Sequence, residues 1–360
     1  MTDGPASPGG HVRVHVFAKT DVGRTREHNE DAFVVANLTT MDTTLQPVLR
    51  THTPGERGLL FMVADGMGGA AAGEIASAMA TDCVLRELDA RWRHGSAPSP
   101  EIFAQELKLA AEAANTRIHR YAAEHPENRG MGTTATIAGF LADTLYIAQV
   151  GDSRAYLVRA GEAKQITKDQ SLMQKLVEAG EMTVEEAEVS ERRNIILQAL
   201  GPEAQVRVDV THQRVRNGDV LVLCSDGLSG QMRGGDIGRI VNETADLPEV
   251  CRRLIDLANE SGGPDNITVV AVRFEGEELG VPADAAEVGY HEYGGVAEGT
   301  PATPVDLVTT EMSAVQLPPP VRAPSVRMPR ETRIAPHMLR LVFGTIAALL
   351  AAGILFRLLR

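Results

Sequence analysis

From Thr133 to Thr167 the chain reads TTATIAGFLADTLYIAQVGDSRAYLVRAGEAKQIT. The stretch has strand-like alternation, broken by short loops at Ala142-Asp143 and Ala160-Gly161 that suggest hairpins. It is antiparallel meander text. HVRVHVFAKT, from His11 to Thr20, has the same character. Between these runs lie two alanine-rich segments with a 3.6-residue period, about Ala70 to Trp92 and Pro100 to Ala123, with no strand between them. Further helices are predicted near Ser171 to Gly180, Arg192 to Leu200, Gly235 to Asn242 and Leu247 to Ser261, followed by a closing strand, NITVVAVRF. Helix pairs inserted among antiparallel runs define an α+β class rather than the strand-helix alternation of a parallel sheet.

Composition narrows the function. Across 360 residues, 48 carboxylates face 35 Lys plus Arg, for a net charge of −13, and aromatics make up 4% with one tryptophan, Trp92. A general nucleic-acid binder would carry a basic footprint and stacking aromatics, so no nucleic-acid partner is expected. Cys83, Cys224 and Cys251 are scattered without CxxC spacing, which fits a reducing compartment and neither a disulfide framework nor a thiolate zinc site. The opening MTDGPASPGG has no apolar stretch and predicts a start in the cytosol.

The folded unit is expected over residues 11–275. From Gly276 to Pro320 there are eight carboxylates and no Lys or Arg, which reads as a solvated linker continuing, with basic and proline-rich text, to residue 338. A membrane-spanning helix is predicted over 339–358, centred on the uncharged run LVFGTIAALLAAGILF, Leu341 to Phe356. Sixteen residues at ~1.5 Å each cover about 24 Å of a hydrocarbon core of about 30 Å, and Arg340 and Arg357 close the gap by snorkelling. A buried or interfacial helix is the alternative. The arginines at 322, 327, 330, 333 and 340 orient the anchor so that the folded unit faces the cytosol, at the cell membrane.

An internal echo points to chemistry. GLLFMVADGMGG (58–69) and GDVLVLCSDGLSG (218–230) each read as a buried strand stopping at an aspartate, Asp65 or Asp226, with glycine next. Taken alone, either is a plain turn. Glu30 and Asp31, Asp152 and Asp265 share the setting: an acid beside a strand, among Gly, Ser or Asn. Converging carboxylates suit hard cations such as Mg²⁺ or Mn²⁺, without Cys or His. Arg26 supplies a fork that grips phosphate, or alternatively a surface ion pair.

Five motifs in order, TDVGRTREHNEDAF, VADGMGG, GTTATI with VGDSRAY, CSDGLSG and GPDNITVV, resemble the metal-dependent serine/threonine protein phosphatase 2C family in its bacterial form. The likeness spans about Val12 to Phe274 and implies an αββα sandwich of two antiparallel sheets flanked by helix pairs. It also implies two Mn²⁺ or Mg²⁺ ions and a third, weaker one. Asp65 matches the bridging ligand. Gly66, through its carbonyl, and Glu30 match ligands of the second ion, and Asp226 and Asp265 those of the first. Asp31 would bind metal waters, Asp152 would join Asp226 at the third ion, and Arg26 would bind the substrate phosphate. The family's mechanism is attack on phosphorus by a hydroxide bridging the ions. Residues 168–201 look like a mobile flap; Gln170 and Met67 stand where many members have histidine, and the insert from Met41 to Arg57 is long. The implied partners are phosphorylated proteins, including membrane-associated Ser/Thr kinases, and the lipid bilayer through the C-terminal helix; the chain is expected to be a monomer. The alternative is a membrane-tethered, non-catalytic phosphoprotein-binding module of the same fold.

Overall fold

The computed structural model describes residues 12–44, 49–69, 72–92, 97–190, 192–281 and 285–294. The chain opens with strands β1 (Arg13–Asp21), β2 (Asp31–Asn37), β3 (Asp42–Thr44), β4 (Arg50–His52) and β5 (Leu59–Met67). Helices α1 (Ala72–Trp92) and α2 (Pro100–Glu124) follow. The meander is β6 (Gly132–Thr133), β7 (Ala135–Leu141), β8 (Thr144–Val150), β9 (Arg154–Arg159) and β10 (Glu162–Gln165). Short helices α3 (Leu172–Glu178) and α4 (Val184–Glu188) lead to β11 (Asp209–Arg214) and β12 (Val220–Cys224). One helical turn, α5 (Asp226–Ser229), then α6 (Gly234–Glu243), α7 (Leu247–Glu260) and β13 (Ile267–Glu275) complete the set.

Among the described residues the strands form two antiparallel sheets. One runs β10-β9-β12-β13-β1-β4, the other β11-β8-β7-β5-β2-β3, with β6 paired to the end of β5. The unbroken apolar runs of β5, β12 and β13 have a simple cause: both faces of each strand are buried. Leu59, Phe61 and Val63 face the inter-sheet core, whereas Leu60, Met62 and Ala64 pack under α1 and α2. On β12, Leu221 and Leu223 point between the sheets and Val220, Val222 and Cys224 toward α6 and α7. The layers are therefore αββα. Phe140 and Phe274, one from each sheet, meet across the middle with ring centroids 4.8 Å apart.

Helix α1 buries small residues, Ala72, Gly73, Ala76, Ser77 and Ala80, at near-helical spacing, so it lies close against its sheet. Ser99 caps α2, accepting a hydrogen bond from the Ile102 amide, and Pro100 starts its first turn. Both hairpins form as read: Leu141 pairs with Thr144, and Arg159 with Glu162. Ala142 and Ala160 carry positive φ there, 57° and 51°. The Met41 to Arg57 insert supplies an edge strand to each sheet, β3 beside β2 and β4 beside β1.

Three expectations are corrected. Residues 192–200 form turns and isolated bridges, not a helix, because their backbone bonds go elsewhere: Leu197 N–H to the Gln170 carbonyl at 2.7 Å and Leu200 N–H to that of Thr133 at 2.8 Å. Strand β5 does not stop at Asp65, since β6 pairs with Gly66 and Met67 and carries the ladder past it. The folded unit also extends beyond Phe274 and residue 275. Within the supposed linker, Leu279 and Val288 are buried, Glu292 bridges to Thr211, and the Tyr293 N–H bonds to the Val210 carbonyl at 2.8 Å. Acid-rich composition concealed these few apolar anchors. The predicted anchor, 339–358, lies outside the described residues; among the described residues no helix is long and apolar enough to cross a membrane.

Candidate active site

Strand parity carries the acids to one end of the sandwich. Asp31 sits opposite Asp65 in the β2-β5 ladder, each two residues from an inward-facing partner, Phe33 or Val63. Both carboxylates therefore lie at the mouth of the inter-sheet core. From the other sheet, Ser225 at the end of β12 donates its hydroxyl to Asp31 Oδ2 at 2.8 Å, fastening the two sheets at the cleft. Asp226 opens the single turn α5, directly after Ser225. Asp152 lies in the tight connection from β8 to β9, and Asp265 in the loop before β13.

The scaffold beneath these acids is polar and satisfied. The Asp65 N–H donates to Thr134 Oγ1 at 3.0 Å, and the Asp65 carbonyl accepts from the Thr134 amide at 2.8 Å and the Thr133 hydroxyl at 2.9 Å. Thr134 Oγ1 also meets Ser153 Oγ at 2.8 Å, tying Asp65 to the Asp152 loop. Asn266 is a second hub. Its Oδ1 accepts from the Glu30 amide at 2.8 Å, and its Nδ2 donates to the carbonyls of Val22 and His28, each at 2.9 Å. Close backbone approach requires glycine nearby: a Cβ on Gly66 would stand 2.2 Å from the Gly73 carbonyl oxygen, and one on Gly23, at φ +81°, 2.1 Å from that of Asp265.

The electrostatics record the crowding. Burial pushes Asp31 up to about 7, helped by Asp226 and Asp265 and opposed by hydrogen bonds from Thr268 and Ser225. Asp152 rises to about 8 through burial and the charges of Asp226 and Asp169. Asp65 is held well above the usual carboxylate range, first by burial and then by Asp31, Asp226, Asp152 and Asp265. Asp226 and Glu30 are raised too, chiefly by burial. Asp31 Oδ1 and Asp226 Oδ1 are buried without a hydrogen-bond partner. The acids face one cleft but do not close on one point: among the described residues no three His, Cys, Asp or Glu side chains are grouped at ligand distance.

Arg26 stands at the cleft rim as an ion pair, its Nη2 donating to Asp265 Oδ2 at 2.7 Å, with its side chain 50% exposed. Asp265, Glu30 and Asp65 all act on its charge. The surface ion pair, the alternative reading of this residue, is what the structure shows. All three cysteines are free and buried, and burial pushes each thiol up to about 12, which disfavours the thiolate. Sequence reasoning missed Ser225, Asn266, Thr134 and Ser153. For Ser225, Asn266 and Ser153 the available signal was a hydroxyl or amide beside an acid next to an apolar run; Thr134 adjoins no acid in the sequence.

Comparison with known proteins identifies the family and the fold. The family described as Protein phosphatase 2C matches residues 42–266. The chain belongs to the protein phosphatase 2C family. It is a protein phosphatase, similar to the serine/threonine phosphatase stp of Listeria innocua, with 36% identity over 260 residues covering 72% of this chain and 95% of the relative. The crystal structure of the Mycobacterium tuberculosis serine/threonine phosphatase PstP/Ppp superposes with a TM-score of 0.61 at 34% identity, over 73% of this chain and 99% of that one. The catalytic domain of PstP in complex with two manganese ions matches over the same shares, with a TM-score of 0.59 and 34% identity.

Proposed function

We propose that this member of the protein phosphatase 2C family hydrolyses phosphoserine and phosphothreonine in proteins, with divalent cations held by its acid cleft. The observation that carries the reading is the placement of Glu30, Asp31, Asp65, Asp152, Asp226 and Asp265 around one cleft, five of them raised chiefly by burial, with unpartnered buried oxygens on Asp31 and Asp226. Repelling carboxylates with orphaned oxygens fit hard cations such as Mn²⁺ or Mg²⁺, which take oxygen ligands. The relatives named serine/threonine phosphatase and the manganese-bound PstP domain support the same reading.

Asp65 would be shared between two ions, with Glu30 and the Gly66 carbonyl serving one and Asp226 and Asp265 the other. Asp31 would hold waters, and Asp152 would join Asp226 at a third, weaker site. Such ions, when bound, supply an acidified water as nucleophile and positive charge opposite the phosphoryl oxygens. The chain's own residues do the rest. Arg26, already at the rim and half exposed, offers its planar fork to the phosphate dianion and orients it over the acids. Asn266 accepts from the Glu30 amide and Ser225 donates to the Asp31 carboxylate, which ties the chain on both sides of the cleft. Nothing in this arrangement calls for a covalent enzyme intermediate.

The hydrophobic run from Leu341 to Phe356 is proposed as an anchor that keeps the enzyme at the cytosolic membrane face, near Ser/Thr kinases and their substrates. Hydrolysis of a small aryl phosphate and of a phosphothreonine peptide tests the activity: turnover is expected with Mn²⁺ and abolished by EDTA. Turnover that survives EDTA excludes the cation reading. Recovery of the full-length chain in the carbonate-washed membrane fraction tests the anchor.

A further inference from the structure

Residues 285–294 form a strap along the outer edge of β11. The His212 N–H bonds to the His291 carbonyl at 2.9 Å, and the Gly289 amide to Gln213 Oε1 at 3.2 Å. Glu287 lies 3.8 Å from Arg216 and 3.9 Å from Arg159, and Val288 is buried. The strap lies beyond residue 266, where the family match ends.

It reaches the flap at one place. The Tyr290 ring lies under the Lys168 ammonium, 4.4 Å from centroid to Nζ, and Lys168 in turn pairs with Glu178 of α3 at 3.3 Å. Between strap and flap is a cavity of about 390 Å³, walled by Lys168, Gln170, Lys175, Arg207, Tyr290 and Glu292. The flap needs such support. Val184, Val189, Ile195 and Leu197 expose their apolar surface, and Met173 is the buried residue of α3, so little packing of its own fixes it.

Both ends of the flap are clipped to the acid cleft. Gln170 donates its N–H to the Gly151 carbonyl at 2.9 Å and accepts from the Gly151 amide on Oε1 at 2.9 Å, next to Asp152. Leu200 and Thr133 exchange backbone hydrogen bonds of 2.8 and 3.0 Å, and the Thr133 hydroxyl donates to the Asp65 carbonyl. These bonds hold the two ends of the flap, and the acids beside them, independently of the strap, so the contact of Tyr290 with Lys168 bears on the span between the ends.

We propose that Tyr290 is a positioning residue: by holding Lys168, and through it α3, it sets the flap where a protein substrate meets it. The kinetic part of this proposal rests on the phosphatase reading above. On this proposal a small aryl phosphate, which would need only the acids and Arg26, is indifferent to the strap. The test uses the full-length protein with Tyr290→Ala, which removes the ring, and Tyr290→Phe, which keeps it. Since a cation over an aromatic face is worth roughly a factor of five, Tyr290→Ala is expected to speed trypsin cleavage after Arg192 and Arg193 about fivefold and to raise KM for a phosphothreonine peptide about fivefold. Turnover of the aryl phosphate stays at the wild-type value, and Tyr290→Phe behaves as wild type in every readout. Unchanged cleavage and unchanged peptide KM in Tyr290→Ala overturn the proposal. So does an equal loss on both substrates accompanied by a lower melting temperature, which assigns Tyr290 to stability alone. If no protein, wild type included, hydrolyses either substrate with Mn²⁺, the phosphatase reading fails, and the trypsin rates decide whether Tyr290 holds the flap.

Discussion

At the residue scale the cleft gathers buried carboxyls that burial holds above the usual carboxylate range. Asp65→Ala or Asp226→Ala removes a proposed ligand and a source of repulsion together. Activity with Mn²⁺ should fall by more than about two orders of magnitude while circular dichroism stays native. Arg26→Ala leaves the acids in place but removes the fork, and kcat/KM for a phosphate ester is expected to drop about 10- to 100-fold, mainly through KM. A pH series probes the acids directly. Asp31 and Asp152 are raised from 3.8 to about 7 and about 8, so the folded chain keeps protons that the unfolded chain releases. Their contribution to stability is full below the unfolded value and is lost as pH rises through the folded ones. His52 and His212, held below 6.5 chiefly by burial, act in the opposite sense but only under that pH. Melting temperature in EDTA should therefore fall between pH 6.5 and 8, and Mn²⁺ should restore it. A flat or rising profile in EDTA would show that Asp31 and Asp152 are not held above the usual carboxylate range.

At the element scale, close approach decides which substitutions are tolerated. Gly139 of β7 lies under α2, where an added Cβ would stand 2.4 Å from the Phe103 ring and 2.9 Å from Leu107. Gly139→Val should lift α2 from its sheet and cost about 1–3 kcal/mol in denaturant melts. Because the clash is on the outer face, the cleft between the sheets should keep its cation dependence. A loss of activity at temperatures where the variant is still folded would mean that α2 packing reaches the acids.

For the whole molecule, the domain boundary is the measurable question. A fragment ending at Phe274 discards Leu279 and Val288, each buried against the inter-sheet core, and loses roughly 1.5–3 kcal/mol for each such side chain. A fragment ending at residue 294 retains them. Thermal melts of the two should differ clearly, with the longer fragment matching the full-length chain. Equal melting temperatures would return residues 276–294 to the linker.

The meander, the two helix pairs and the closing strand were legible because each repeats a local rule. Hairpin spacing, a 3.6-residue period and continuous apolar text do not depend on distant residues. The acids were legible as candidates because each interrupts or ends such text, and the ordered motifs of the protein phosphatase 2C family named them together. Other features depended on tertiary placement. Asp31 faces Asp65 only because β2 and β5 pair in one register, and Ser225 reaches Asp31 only because two sheets stack. Residues 192–200 have helical text but spend their amides on Gln170 and Thr133, partners remote in sequence. Residues 276–281 and 285–294 look like solvent-exposed chain by composition, yet Leu279 and Val288 pack against the inter-sheet core and Tyr293 against the core of the other layer. Local pattern sets which segments are able to become strands and helices. Which side chains meet is set by register and stacking, energies that arise only once distant segments are in contact.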